Sequence, residues 1–477
     1  MNLRFISRVL GLILLCLAAL MLLPLFVGLL YGENVLNFLI PIAVSAVSGL
    51  FLTRFKPRST ELFAREGFII VGLGWILLSL LGALPYVISG SIPSYVDALF
   101  ETVSGFTTTG ATILRDFDNL PRSEMFWRLF THWIGGMGVL VFVMAVLPMS
   151  GEHSMHIMRA EIPGPTVGKL VPRARQTALI LYLIYVVLTI INTVFLIFGG
   201  MSFYDALLHA FATAGTGGFS TRSSSIGEFH NPYIEIVTAT FMLLFGINFN
   251  LFFLLLLGRV RDVVKNEELR WYLCIIAVAV VILIPGLAGS MGLGEAARHA
   301  YFIVTSVIST TCFTIADYTL WPSYCQWIIL LLMFMGACAC STGGGLKISR
   351  FATLIKSVRM EVRQVIRPRG VYRVQMDGRR VDAGAVRAIS VFFVLYVFLI
   401  LLFTFLISFD GHDIATNFSA ALACLSNTGL GVGLVGPSGS FNVYSDLSKL
   451  FLSLAMLFGR LEIYPILVLF SVPTWKN

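Results

Sequence analysis

Residues 107–113 read TTTGATI, three threonines and a glycine set between two strongly apolar stretches. Hydroxyl and bare carbonyl oxygens of this kind suit a monovalent, weakly hydrated cation, whereas Ca²⁺ and Mg²⁺ favour carboxylates. The pattern recurs along the chain. DALFETVSGFTTTGAT from Asp97, DALLHAFATAGTGGFS from Asp205, HAYFIVTSVISTTCFT from His299 and TNFSAALACLSNTGLG from Thr416 align without gaps. Gly110, Gly218, Cys312 and Gly429 fall at one matching position, and the small residues Ser104, Ala212, Ser306 and Ala423 at another. The matching positions are 108, 94 and 117 residues apart, so the chain carries a fourfold internal repeat.

Composition says what surrounds these turns. The 477 residues are 57% hydrophobic and only 12% charged, which excludes an ordinary soluble domain and predicts many membrane crossings. Spanning helices are predicted over 9–31, 35–53, 67–89, 126–149, 177–199, 233–258, 271–289, 325–340, 386–409 and 447–471. The first is too long for a signal-peptide core and lacks a small-residue cleavage site, so it reads as a retained helix. The net charge of +8 sits in short segments between spans. These segments hold Arg54, Lys56, Arg58 and Arg65; Arg159, Lys169, Arg173 and Arg175; and Arg259, Arg261, Lys265 and Arg270. Residues 347–387 add eleven Lys/Arg against three acids. That placement predicts cytoplasmic loops and both termini inside, and argues against nucleic acid as a partner.

Residues 90–124, 200–231, 290–323 and 410–444 then face outside, each with a short helical stretch and a Thr/Ser/Gly-rich turn. Non-helical backbone at membrane depth is tolerated where it is buried in protein or lines a water-filled path. A half-helix entering from outside aims its partly negative C-terminus inward, and the following carbonyls can replace a cation's hydration shell. The four turns therefore predict a cation filter.

Two further features stand near the cytoplasmic side. ACACSTGGGLKISR, from Ala337 to Arg350, places three glycines in an apolar run, and each costs a helix about 1 kcal/mol, so the helix is expected to break. A Walker phosphate loop needs four residues between its first glycine and Gly-Lys-Ser/Thr, and this stretch lacks them. Arg460 lies within the last apolar run, where a charge faces a cavity or pairs with an acid such as Glu462. The seven cysteines show no zinc spacing, the histidines no axial-ligand pairing for haem, and no Ser/His/Asp set or HExxH appears. No enzyme and no cofactor within this chain are expected.

The whole chain resembles the TrkH-type subunit of the Trk/Ktr/HKT potassium-uptake superfamily. AREGF (64–68), HWIGGMGVL (132–140), RAEIPGP (159–165), GGFSTRSSSIG (217–227), STGGGLK (341–347) and MLFGRLE (456–462) carry the likeness. It implies an all-α polytopic membrane protein of the bacterial inner membrane. Four pseudo-symmetric M1–P-loop–M2 repeats would surround a central pore, preceded by two extra transmembrane helices. The divisions would be 1–63 for the extra helices and 64–150, 151–262, 263–370 and 371–477 for the repeats. The resemblance also implies K⁺ as the transported ion, a homodimer, and a cytoplasmic RCK-type (TrkA-like) regulatory subunit that alone binds nucleotide. Residues 347–387 are a candidate docking surface for that subunit or for membrane lipid.

On this reading K⁺ is held at Thr108, Thr109 and Gly110; Thr216, Gly217 and Gly218; Thr310, Thr311 and Cys312; and Asn427, Thr428 and Gly429. Gly343, Gly344, Gly345, Lys347 and Arg460 form the gate. Cys312 stands where the family pattern has glycine, which puts strict K⁺ over Na⁺ selectivity in question, and Cys340 stands where the family usually has glycine; the plainer reading is two tolerated small residues, the alternative a crosslink between filter and gate. A rival reading is a secondary transporter of another small solute coupled to H⁺ or Na⁺, which needs a midplane carboxylate; the predicted spans offer few, Glu235 near a helix end and Glu462 the one obvious deep candidate. Channel-like conduction and K⁺/H⁺ symport would use the same filter.

Overall fold

The structure, a computed structural model, describes residues 2–55, 64–115, 117, 120–138, 174–289 and 291–475. These are mostly helical, with one two-stranded antiparallel hairpin pairing Gln375 with Arg380 and Met376 with Arg379. Among the described residues six helices are long and apolar enough to cross a membrane. Pro232–Phe245 and Phe249–Leu256 make a seventh if counted as one span, bent by 91°.

The ten expected spans are therefore not ten continuous helices. Ser323–Met335 and Asp446–Arg460 are short, each ending at a backbone break, and 126–149 coincides with Arg122–Gly136 and then leaves the described residues. The predicted 233–258 span is two helices, and the predicted 447–471 span breaks at Glu462 and Ile463, both with positive φ. Hydrophobicity alone locates apolar chain, and a broken helix is as apolar as a whole one.

Four short helices precede the four turns: Tyr95–Phe106, Phe203–Gly215, Leu293–Ile308 and Ile414–Leu425. Three begin with a side-chain cap, in which Ser94, Ser202 and Asp413 accept from the backbone N–H of Asp97, Asp205 and Thr416. Each short helix packs against the later helix of the preceding unit. Phe203–Gly215 lies on Arg122–Gly136, Leu293–Ile308 on Pro232–Phe245, Ile414–Leu425 on Ser323–Met335, and Tyr95–Phe106 on Asp446–Arg460. The last contact closes the sequence into a ring of four units. The N-terminal helices stand outside it, Leu3–Leu20 packed on Leu36–Thr53 and on Ala64–Gly82. Only 28% of the apolar window in Glu267–Ala288 is buried, against 61% in Arg65–Ser89, so the former lies at the periphery with Val281 exposed.

Candidate functional site

The four turns share one backbone conformation. The first residue of each has positive φ: Thr108 55°, Thr216 54°, Thr310 61° and Asn427 53°. The third does as well: Gly110 82°, Gly218 79°, Cys312 55° and Gly429 84°. A left-handed φ costs an L-residue roughly 1–2 kcal/mol, and for β-branched threonine it is a genuine outlier. Three threonines held that way in matching places are strain concentrated where the four units meet.

The small residues at the second matching position have a specific task. The carbonyls of Ser104, Ala212, Ser306 and Ala423 accept from the N–H of Thr109, Gly217, Thr311 and Thr428 at 2.8–2.9 Å. Each bond winds the chain tightly off the end of its short helix, so the turn begins at that helix's C-terminal, partly negative end.

The turns also touch one another in ring order. A Cβ on Gly110 would meet the Gly217 carbonyl, one on Gly218 the Thr311 carbonyl, and one on Gly429 the Thr109 carbonyl, each well inside 3.0 Å. Only glycine permits that approach. At the fourth joint the third-position residue is Cys312, which brings the Cβ that the other three lack. The backbone of Cys312 nonetheless keeps the shared left-handed turn, and its thiol lies by the Leu430 backbone of the fourth unit.

Side chains brace three of the turns from behind. Thr107 pairs with Thr109 at 2.8 Å, Ser309 with Thr311 at 2.8 Å and Ser426 with Thr428 at 2.5 Å. The second unit has Gly215 and Gly217 at these places, and the His132 ring fills the gap, its Nδ1 2.8 Å from the Gly105 carbonyl and its Nε2 accepting from Phe219 N–H at 3.3 Å. Asn427 donates to the Thr109 hydroxyl at 3.0 Å, tying the fourth turn to the first. Buried Glu101 accepts from Arg128 at 2.6 Å and from Thr112 and Ile113, while Arg128 stacks on Phe219 at 3.6 Å. On one side the turns open into a vestibule of ≈ 570 Å³ whose lining includes Gly110, Gly218, Cys312 and Leu430, one from each unit.

On the other side lies the glycine-rich loop. Helix Ser323–Met335 stops at Gly336, and the chain resumes helix only at Ile348. Gly344 N–H donates to the Thr310 hydroxyl at 2.7 Å, and a Cβ on Gly343 or Gly344 would strike the carbonyl of Ser309 or Ser426. The loop therefore presses against the third and fourth turns. Arg460 donates to the carbonyls of Thr342, Gly135 and Gly136 at 2.8, 2.5 and 2.7 Å, and to the Thr108 hydroxyl at 3.2 Å. Buried Lys347 donates to the Gly343 carbonyl. The expected gate residues are thus brought together. The space left among them is ≈ 10 Å³, about room for one water.

Glu462 does not pair with Arg460; Arg350 holds its carboxylate at 2.5 and 3.2 Å. Glu235, the other candidate coupling carboxylate, is held by Arg298 at 2.8 Å. Cys312 lines the vestibule, whereas Cys340 lies at the loop beside Asn250 and Glu268, and its carbonyl accepts from Phe249 N–H. The two thiols sit in different neighbourhoods, and among the described residues all cysteines are free. No group of three His/Cys/Asp/Glu positioned to hold a metal occurs among the described residues. RAEIPGP lies outside them.

Two parts of the site were missed in the sequence. Glu268, buried at the start of Glu267–Ala288, accepts from Ala339 N–H at 2.7 Å and Ser349 N–H at 3.2 Å, pinning the loop near both ends. The helix break at Gly246–Asn248 receives the loop: Cys338 N–H bonds the Gly246 carbonyl and the Thr342 hydroxyl the Phe245 carbonyl. The only sequence cues were a glutamate in an apolar helix's first turn and the polar pair Asn248 and Asn250 within an apolar run.

Residues 33–476 match the TrkH family, described as a cation transport protein. The chain is 37% identical to the Trk system potassium uptake protein TrkH of Escherichia coli over the full length of both, and 34% identical to TrkG of the same organism over 100% of this chain and 99% of that one. Its structure is similar to the crystal structure of the potassium transporter TrkH from Vibrio parahaemolyticus, with a TM-score of 0.89, 33% identity and complete coverage of both chains. With these full-length likenesses, and the ring of four turns beside them, the chain belongs to the TrkH family: it is a multi-pass membrane transport protein and not an enzyme.

Proposed function

We propose that this chain takes up K⁺ across the bacterial inner membrane as the ion-translocating subunit of a Trk-type system. The observation that carries the reading is the shared left-handed pattern of four turns joined edge to edge, with uncharged oxygens throughout. The likeness to potassium-uptake proteins supports the choice of ion. Four strained, braced turns supply preorganised carbonyls in place of water, and the four converging helix ends favour a cation at their centre. The 570 Å³ vestibule admits the hydrated ion from outside. The Gly343–Gly345 loop, Lys347 and Arg460 close the path beneath, where buried positive charge opposes a cation.

The repeats run 64–150, 151–262, 263–370 and 371–477 after two extra helices in 1–63. Both termini face the cytoplasm, two copies form a homodimer, and a TrkA-like nucleotide-binding subunit governs the gate. The pairing of Glu235 and Glu462 with arginines disfavours proton or Na⁺ coupling through either of these two carboxylates. ⁸⁶Rb⁺ uptake into proteoliposomes holding this chain tests the reading: competition by K⁺ well below the concentration needed for Na⁺ is expected. Equal competition would mean a cation pathway without K⁺ selection. Absent uptake, with and without the regulatory subunit, would overturn the proposal.

A further inference from the structure

Helix Ile348–Ile366 begins one residue after Lys347, at the end of the glycine-rich loop, and runs away from the ring of turns. Its N-terminal half is packed, with Ala352 and Thr353 buried. Lys356, Arg359 and Arg363 recur at spacings of three and four, so they share one face of the helix. The chain then doubles back through Tyr372 and Arg373 into the 375–380 hairpin, and these two residues cover that face. Between them lies a pocket of ≈ 260 Å³ lined by Lys356, Arg359, Arg363, Arg373, Tyr372 and Gln375, among others, and by no acidic residue.

The four cations differ in what holds them. Lys356 is committed: it pairs with Glu267 and donates to the Gln375 carbonyl at 2.7 Å, fastening the hairpin to the membrane helix Glu267–Ala288. The hairpin is fastened a second time, where Asp377 accepts from Glu267 N–H at 2.6 Å. Arg359, Arg363 and Arg373 have no ion pair among the described residues. A solvated basic face needs neither a concavity nor a fastened hairpin to enclose it. Three guanidiniums with five N–H donors each, around a cavity large enough for a phosphate and its substituents, match a multiply charged oxyanion.

We infer that this pocket binds a phosphate-bearing ligand, and that occupancy bears on the loop from which the helix springs. The phosphate could belong to an anionic lipid headgroup or to a soluble polyphosphate. The exposed stripe of Val358, Val362, Val365 and Ile366 on another face of the same helix is placed to enter lipid while the pocket meets headgroups. The link to the loop rests on the K⁺-uptake reading; the pocket itself does not.

The test uses the full chain in nanodiscs, with binding read separately from transport. Inorganic pyrophosphate is titrated into phosphatidylcholine discs by thermophoresis, and lipid preference is read by native mass spectrometry from mixed phosphatidylcholine and phosphatidylglycerol. The variants are R359Q, R363Q and R373Q, with R261Q as an exposed charge-matched control, all checked for elution as native protein and for ⁸⁶Rb⁺ uptake. Saturable pyrophosphate binding, weakened about tenfold in the pocket variants and unchanged in R261Q, identifies a soluble source, since charge-assisted bidentate contacts are the strong ones. Phosphatidylglycerol enrichment lost in the same variants, without pyrophosphate binding, identifies the lipid. Neither signal, or an equal loss in R261Q, overturns the pocket. Absent ⁸⁶Rb⁺ uptake with binding intact counts against the K⁺ reading alone.

Discussion

Arg460 donates to the Thr342 carbonyl at 2.8 Å, so a guanidinium at the end of the last ring helix holds a glycine-rich loop contributed by the third unit. The same nitrogen reaches the first turn at Thr108. One side chain thereby connects the loop, the first turn and the Gly135 and Gly136 carbonyls. Its replacement acts on the barrier and on the loop together. R460Q should raise ⁸⁶Rb⁺ uptake severalfold, because hydrogen bonds to a charged group contribute about 1.5–3 kcal/mol each. R460K, which keeps the charge without the fork, should fall between. Slower uptake in R460Q would assign Arg460 a purely structural role.

Glu268 holds the loop from the opposite side, through Ala339 and Ser349. E268A leaves two backbone donors unmatched in a buried place, at about 1–3 kcal/mol each. The thermal midpoint in detergent should drop and uptake should lose its dependence on the regulatory subunit. Retained dependence, with a lowered midpoint, would separate the fold's need for Glu268 from the gate's.

The ring joints make a prediction about glycine. G110A, G218A and G429A each place a methyl against a neighbouring carbonyl and should abolish uptake. Gly32 and Gly411 also have positive φ but face open space, so G32A and G411A should cost only about 1–2 kcal/mol and leave transport nearly intact. Similar losses at all five positions would show that backbone angle, and not the approach of adjacent turns, is what matters.

Cys312 tests the fourth joint. C312G removes a Cβ from a left-handed position, relieving roughly 1–2 kcal/mol of strain, and makes all four joints alike. The ratio of Na⁺ to K⁺ needed to halve ⁸⁶Rb⁺ uptake should rise. C312V, β-branched, should lose uptake altogether. An unchanged ratio in C312G would mean that the cysteine costs the filter nothing.

Much of this protein was legible in one dimension. Periodic recurrence exposed the four turns, since alignment of DALF, DALL, HAYF and TNFS needs no gap, and the Gly-Gly-Gly run announced a break because glycine weakens a helix wherever it stands. Membrane crossing followed from composition, because hydrocarbon selects residues by transfer free energy, a property of each residue alone. The tertiary structure decided which polar groups meet. That Glu462 pairs with Arg350 while Arg460 reaches the Gly135 carbonyl, that His132 fills the gap beside Gly217, and that the break at Gly246–Asn248 seats a loop from the next unit are facts of packing between distant segments. An apolar run carries no mark of where its helix stops. A carbonyl is released there only if another part of the chain, or water, takes its hydrogen bond, and that partner is chosen in three dimensions.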